Sequence, residues 1–373
     1  MRTVDAAGLP IGDDHPPRIM GVLNVSRESP YDPSVYDDPG EAAEYVDTEL
    51  IDEGADIVDI GLESANKKFE VLSAEQELDR LETALQTIDS VSGDAVFSIE
   101  TRYHEVAEAA LKGGFDMVND ICGFADPMMP DVCAEYDVAV GKMASPPDLE
   151  RPGAVEDVDD IYEALFQNGL TEKTIVDPAF GGWSEEKTLA DDRETFRRLR
   201  EFRAIGQPIL VSINRKNFLR ELADRSTEEA LPVSLAATSM AVERGAHIVR
   251  THDVAETRDA ALVGNEFARE RVRNGTVEEL DVTTVREATR HLTNTESSPD
   301  SGSTVSRLFA LDIPTPAQQS LTDAARNTDA ITADTGQKVL LGGPVSTLLE
   351  LTETVRDPPA LADALDGVRE GCR

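Results

Sequence analysis

Short apolar runs recur along the chain, each ending in polar or charged residues and each followed by a stretch whose apolar positions have helical spacing. The runs are Arg18 to Asn24, Asp56 to Leu62, Ala95 to Ile99, Asp116 to Ile121, Val138 to Met143, Thr174 to Phe180, Pro208 to Ile213 and His247 to Thr251. Strands that are apolar almost throughout are buried on both faces, which is the habit of a parallel sheet. Amphipathic segments such as Glu41 to Glu53, Ala74 to Asp89 and Leu189 to Ala204 supply helices to cover it. Eight such strand–helix units predict an α/β chain folded as a (β/α)8 TIM barrel over residues 1–275. A doubly wound open sheet is the alternative.

The helical stretch Ala255 to Arg273 completes the barrel, yet roughly a hundred residues follow it. A linker is placed at 276–303, where Thr293 to Ser303 is rich in Ser, Thr, Asn and Asp. Residues 304–373 form a predicted small α/β appendage. Its strands are placed at Arg307 to Ile313 and Lys338 to Leu341, and its helices at Ala317 to Asn327, Val345 to Val355 and Pro359 to Arg369. No residue constellation there has a readable chemistry, so it is taken as an element of stability or oligomer contact.

The formal charge of −38 argues against nucleic acid and anionic membrane as partners, because both repel an acidic surface. The 27 Arg against only 8 Lys, beside abundant acid, resemble the proteins of a salt-loving archaeon. At molar salt the Debye length is about 3 Å, so clustered carboxylates no longer repel, and the fold is expected to depend on salt. Cys122, Cys133 and Cys372 are too scattered for a disulfide framework or a zinc site, which fits a reducing cytoplasm. No basic stretch leads into an apolar run near Met1, and no segment approaches the ~20 apolar residues of a membrane span. A cytoplasmic, unexported protein is expected.

In a barrel of this kind the carboxyl ends of the strands line the active site. Here they carry Asn24, Asp59 with Glu63 and Ser64, Glu100 with Thr101, Asn119 with Asp120, Asp177, Arg215 with Lys216, and Arg250 with His252 and Asp253. The cations follow the seventh and eighth strands, the usual phosphate corner of such barrels. Each alone reads as an ion pair with a surface carboxylate; together they suit a phosphate or diphosphate. Asp177 and Asn119 sit in apolar strands, where unpaired polar groups are costly. They either meet the amidine edge of a pterin or guanine or tie barrel strands to one another. Glu100 and Asp59 carry the same ambiguity, with Asp59 read as structural.

Taken in order, the motifs resemble the dihydropteroate synthase family from Arg18 to about Ala261. They are Gly21-Val-Leu-Asn-Val-Ser26, Gly54-Ala-Asp-Ile-Val-Asp-Ile-Gly-Leu-Glu-Ser64, Ser98-Ile-Glu-Thr101, Val118-Asn-Asp-Ile121, Val176-Asp-Pro178, Asn214-Arg-Lys216 and Ile248-Val-Arg-Thr-His-Asp-Val254. The resemblance implies condensation of hydroxymethyl-dihydropterin diphosphate with p-aminobenzoate, with loss of pyrophosphate, in folate synthesis. By position it implies that Asp177, Asn119 and Lys216 hold the pterin with Glu100 at its edge, and that Arg250 and His252 grip the diphosphate. Lys216, Arg250 and His252 are thereby the catalytic candidates. Asn24 would help place Mg2+, and a homodimer through outer barrel helices is implied.

Departures from the family pattern fall in the loops that close over the arylamine. Ser26-Arg-Glu-Ser-Pro30 stands where the family has Thr-Pro-Asp-Ser-Phe, and Ala65-Asn-Lys-Lys68 where it has Thr-Arg-Pro-Gly. Ser26, Glu28, Ser64 and Lys67 are the arylamine-loop candidates, with Lys67 or Lys68 in place of the missing Arg. Glu100 replaces the customary Asp, and Trp183 follows the glycine-rich loop beyond Asp177. Two other readings remain open on these residues: a pterin-binding methyltransferase module with a corrinoid partner, and a non-catalytic pterin-binding paralogue.

Overall fold

The structure, a computed structural model, describes residues 1–26, 34–63, 71–181, 184, 186–274, 276–293 and 300–372. The chain divides into two compact units, Met1–Glu270 and Arg271–Arg373.

The first unit opens with a hairpin, β1 (Val4–Ala6) and β2 (Leu9–Ile11), joined through Ala7 and Gly8. Both turn residues have positive φ, 50° and 90°, which matches the twist of a tight hairpin. Eight parallel strands follow: β3 (Arg18–Asn24), β4 (Ile57–Gly61), β5 (Val96–Thr101), β6 (Met117–Asp120), β7 (Ala139–Met143), β8 (Thr174–Asp177), β9 (Leu210–Val211) and β10 (Ile248–Thr251). The strand order is β8-β7-β6-β5-β4-β3-β10-β9. A parallel bridge between Val176 and Ile209, with Val176 N donating to Pro208 O at 2.9 Å, joins the two ends and closes the barrel.

The helices of this unit are α1 (Pro39–Tyr45), continued by a π-helical stretch Val46–Ile51, α2 (Ala74–Ser90), α3 (His104–Lys112), α4 (Met129–Glu135), α5 (Val158–Phe166), α6 (Leu189–Arg197), α7 (Asn217–Ala223), α8 (Leu231–Glu243) and α9 (Val254–Glu266). Local chemistry sets several of their starts. The Asp38 carboxylate accepts from Gly40 N and Glu41 N, and Ser73 with Gln76 forms a reciprocal capping box, as Thr188 does with Asp191. Outward strand residues such as Ile19, Val58, Ile99, Val118, Val140, Val176 and Val249 pack beneath this helical coat.

Inward residues near the strand starts make a separate apolar floor, one from each strand: Met20, Ile57, Val96, Met117, Ala139, Ile175, Leu210 and Ile248. Val4, Ala6 and Ile11 of the hairpin plug it from below. Asp13 fastens the plug, meeting His247 Nε2 at 3.0 Å and Arg203 Nη2 at 2.7 Å.

The second unit holds a short hairpin, β11 (Arg273–Asn274) and β12 (Val277–Glu278), then α10 (Val285–Leu292), β13 (Ser306–Leu311), α11 (Thr315–Ala325), β14 (Ile331–Asp334), β15 (Val339–Pro344), α12 (Val345–Thr354) and α13 (Pro359–Gly371). β15 lies between β13 and β14, antiparallel to both. Leu311, Leu321, Leu341, Leu348, Leu361 and Leu365 form its core. Where a linker was expected over 276–303, the structure has α10. A Thr284–Glu287 capping box starts this helix, and Ala288 enters the same core.

Candidate active site

Side chains alternate inward and outward along a strand, so the register that builds the floor also fixes the next inward layer. Two residues beyond the floor it is mostly polar: Asp59 on β4, Ser98 on β5, Asn119 on β6, Asp177 on β8 and Arg250 on β10, with Gly141 on β7 and the apolar Val22 on β3. One step further come Asn24, Gly61 and Glu100, side by side across β3, β4 and β5.

Asp59, fully buried, is the hub of this layer. Its Oδ1 accepts from Ser98 Oγ at 2.8 Å, and its Oδ2 accepts from Asn119 Nδ2 at 3.0 Å and from Arg250 Nε at 2.7 Å. Arg250 Nη2 reaches Glu100 Oε2 at 2.6 Å. Burial opposes the Arg250 charge, but Glu100 and Asp59 outweigh it and keep the guanidinium protonated. Burial likewise raises Glu100 above the ordinary carboxyl range, against the pull of Arg250. Arg250 Nη1 has no hydrogen-bond partner among the described residues, so one edge of the fork is open to a ligand.

Asp177 stands at the end of β8, where its Oδ1 accepts from Ala179 N at 2.8 Å; Ala179 takes a left-handed φ of 59° there. Burial pushes Asp177 up to about 6, against that hydrogen bond and the Lys216 and Arg250 charges. Lys216 is pulled down by burial and by Arg250, while Asp177 and Asp192 resist. Gly181, at φ +111°, makes room for this lysine: a Cβ there would lie 2.9 Å from Lys216 Nζ. Gly141 does the same for the amide, since a Cβ on it would lie 2.8 Å from Asn119 Oδ1.

Two cations depart from the sequence reading. Arg215 is absorbed by the scaffold: Nε and Nη2 bind Asp253 at 2.8 Å each, and Nη1 donates to Thr227 O and Glu228 O. It braces the loop after β9 against the loop after β10 and offers no grip to a phosphate. His252 is not a cation near neutral pH. Burial, with the adjacent Arg250 charge, pushes its imidazole down to about 3.

The residue that would hold Mg2+ suits it. Asn24 Nδ2 donates to Ser34 Oγ at 3.0 Å, so its other end, the oxygen, faces Gly61. A Cβ on Gly61 would lie 3.2 Å from Asn24 Oδ1 and 3.7 Å from Glu100 Oε1, so the glycine keeps a small space lined by hard oxygen donors. The separate group His104, Glu105 and Asp126 serves α3 instead, with Asp126 Oδ2 accepting from His104 N and facing its Nδ1.

Other strand-end candidates turn out to be braces. Asp120 caps its own loop through Cys122 N and Phe124 N. Thr101 donates to Glu77 Oε2, and Glu63 pairs with Arg102 at 2.6 Å while accepting from Leu72 N. Ser26 is fully buried; Glu28, Ser64, Lys67, Lys68 and Trp183 lie outside the described residues. Sequence reasoning missed Lys187, whose buried ammonium donates to Ala179 O at 2.8 Å and pairs with Asp192 at 3.3 Å. The scarcity of Lys in this chain was the available signal.

Residues 20–252 match the family described as "Pterin binding enzyme". A probable bifunctional folylpolyglutamate synthase/dihydropteroate synthase of Halobacterium salinarum is 35% identical over 257 residues, covering 66% of this chain and 31% of that protein. The dihydropteroate synthase of Bacillus subtilis is 32% identical over 242 residues, covering 63% of this chain and 83% of its own length. Among solved structures, a Coxiella burnetii dihydropteroate synthase in complex with pteroic acid aligns with TM-score 0.60 at 29% identity, over 70% of this chain and 97% of that one. The Thermus thermophilus enzyme in complex with 4-aminobenzoate gives 0.58 at 30%, over 71% and 100%. The matched span begins on β3 and ends at His252, so it takes in every strand that feeds the polar layer, and the chain belongs to the pterin-binding enzyme family.

Proposed function

We propose that the chain condenses 6-hydroxymethyl-7,8-dihydropterin diphosphate with p-aminobenzoate or a related arylamine, releasing pyrophosphate, in folate biosynthesis. The observation that carries this reading is the union, in one polar layer, of an amidine-seeking carboxylate with an arginine that has one open edge. Asp177 Oδ2 accepts no hydrogen bond from a described residue and faces the ring amino group and N–H in this reading. Asn119, held by Asp59, adds an amide beside it, and Lys216 donates to a ring acceptor.

Arg250 meets the diphosphate through Nη1, where a charge-assisted hydrogen bond strengthens as the leaving group gathers negative charge. His252, entering neutral, contributes a single N–H. Bound at Asn24, Mg2+ would supply further neutralisation of the departing diphosphate. The C–O bond to the diphosphate breaks, the arylamine nitrogen forms the new C–N bond at the methylene carbon, and that nitrogen then loses a proton. Aniline nitrogen is nucleophilic without a strong base, so the protein's main task is to position it.

The deciding experiment incubates purified protein, in molar salt, with the pterin diphosphate, Mg2+ and p-aminobenzoate. Pyrophosphate release that depends on the arylamine is expected; release without it, or none, refutes the reading. We also infer a homodimer through outer barrel helices. Met240 on α8 and Val263 on α9, with Phe267 just past its end, supply exposed apolar surface for it, Phe267 at 79%. Light scattering that gives the mass of one chain refutes it. The three buried free cysteines fit a reducing cytoplasm, and among the described residues no helix is long and apolar enough to cross a membrane.

A further inference from the structure

We propose that Glu100 is a second protein ligand, beside Asn24, for the divalent cation that accompanies the diphosphate. The inference rests on the reading above for the cation's presence, and on the geometry for the ligand.

The two oxygens of Glu100 have different surroundings. Oε2 is fixed by Arg250 Nη2, and this orients the carboxylate. Oε1 accepts no hydrogen bond from any described residue and looks across Gly61, 3.7 Å from where a Cβ would stand. Asn24 Oδ1 looks across the same glycine at 3.2 Å, with its amide nitrogen spent on Ser34. Two acceptors therefore flank the same strand position, where a glycine puts no side chain between them. Neither can satisfy the other, because both are lone-pair donors. A small hard cation satisfies both at once, and Mg2+ characteristically uses one or two protein oxygens and completes its shell with water and substrate phosphate. Arg250 on the far oxygen offsets the carboxylate's charge without occupying the ligating atom. Strand pairing puts Asn24, Gly61 and Glu100 in register, so the arrangement belongs to the barrel and not to a loop.

The test titrates Mn2+, as a spectroscopic substitute, into the full chain with and without pyrophosphate. Free Mn2+ is read by electron paramagnetic resonance and bound water by proton relaxation. The wild type is expected to bind Mn2+ before pyrophosphate is added. Glu100→Gln and Glu100→Asp should each weaken binding by about tenfold or more, with higher relaxivity per bound ion as water takes the vacated position. Asp keeps the charge but is one methylene short, so its loss separates ligation from general electrostatics. Gly61→Ala leaves both side chains chemically intact but puts a methyl 3.2 Å from Asn24 Oδ1 and should also lose affinity, which keeps the proposal testable if a Glu100 variant fails to fold. Wild-type Mn2+ affinity in Glu100→Asp or in Gly61→Ala overturns the proposal. Unchanged Mn2+ binding with arylamine-dependent pyrophosphate release intact sinks the ligand and spares the function; Glu100-dependent binding without release does the reverse.

Discussion

Replacing Arg250 by alanine tests both halves of the argument at once. The guanidinium is the cation shared by Asp59, which is fully buried, and Glu100, whose side chain is 10% exposed. Removing one partner from a buried ion pair costs about 3–5 kcal/mol, because the remaining charge has neither water nor a counterion. The variant can escape part of that cost by protonating a carboxylate. In Arg250→Ala the folded-state carboxyl pKa then rises above its unfolded value, so stability is retained at low pH and lost as pH rises. Each pH unit between those two values is worth about 1.4 kcal/mol. Urea unfolding in molar salt at pH 6 and pH 8 should show the variant's deficit against wild type growing by about 1–3 kcal/mol for one carboxylate. Turnover should fall far more than pterin affinity, since the lost contact strengthens only as the diphosphate departs. Equal losses in turnover and pterin affinity, or a stability deficit independent of pH, refute the assignment.

Gly141→Ala should lower pterin affinity by about tenfold and cost about 1–3 kcal/mol of stability, because the added methyl must move the buried Asn119 amide away from Asp59; unchanged affinity by calorimetry contradicts this. Asp177 is raised to about 6 and must be ionised to accept from the pterin, so affinity should fall by up to about tenfold per pH unit below that value. Asp177→Asn should bind weakly with no such slope. Glu77, buried and raised to about 7 from 4.5, favours the folded state less as pH rises from its unfolded value through its folded one. Glu77→Gln should therefore gain up to about 3 kcal/mol on wild type between pH 4.5 and 7, and a parallel pH profile of the two proteins argues against it.

The barrel was legible because parallel strands are buried on both faces and so appear as apolar runs: seven of the eight runs contain a barrel strand, and Ala95 to Ile99 overlaps β5, which continues to Thr101. The strand-end list was legible for the same reason, since polarity inside such a run is conspicuous. Position along the chain does not reveal pairing, however. Arg215 and Lys216 are neighbours in sequence, yet Arg215 meets Asp253, 38 residues away, and is lost to the scaffold. Nor could the sequence rank its 25 glycines. Gly61, Gly141 and Gly181 matter because of side chains on adjacent strands and loops, information that exists only once register is set. In the second unit β14 has four mostly exposed residues and so gave no period, while α10 is a short helix whose apolar residues Val285, Ala288 and Leu292 sit within a largely polar stretch. The Thr284–Glu287 capping spacing and the helical spacing of Val285, Ala288 and Leu292 were the local signals for α10.

The polar layer sits directly on the apolar floor, and this arrangement ties function to stability. Asp59, Asn119 and Arg250 belong to the strands that supply Ile57, Met117 and Ile248 to the floor, two residues away in each case. A group held that close to a packed layer cannot relax toward water when its partner is removed, so its orientation is preorganised and its loss is expensive for the same reason. Asp59 illustrates this: it touches no ligand in the proposed reaction, yet it fixes the amide meant for the pterin and the guanidinium meant for the diphosphate through one oxygen. A brace at this position still bears on the site, because in a closed bore the two are adjacent rungs of the same alternation.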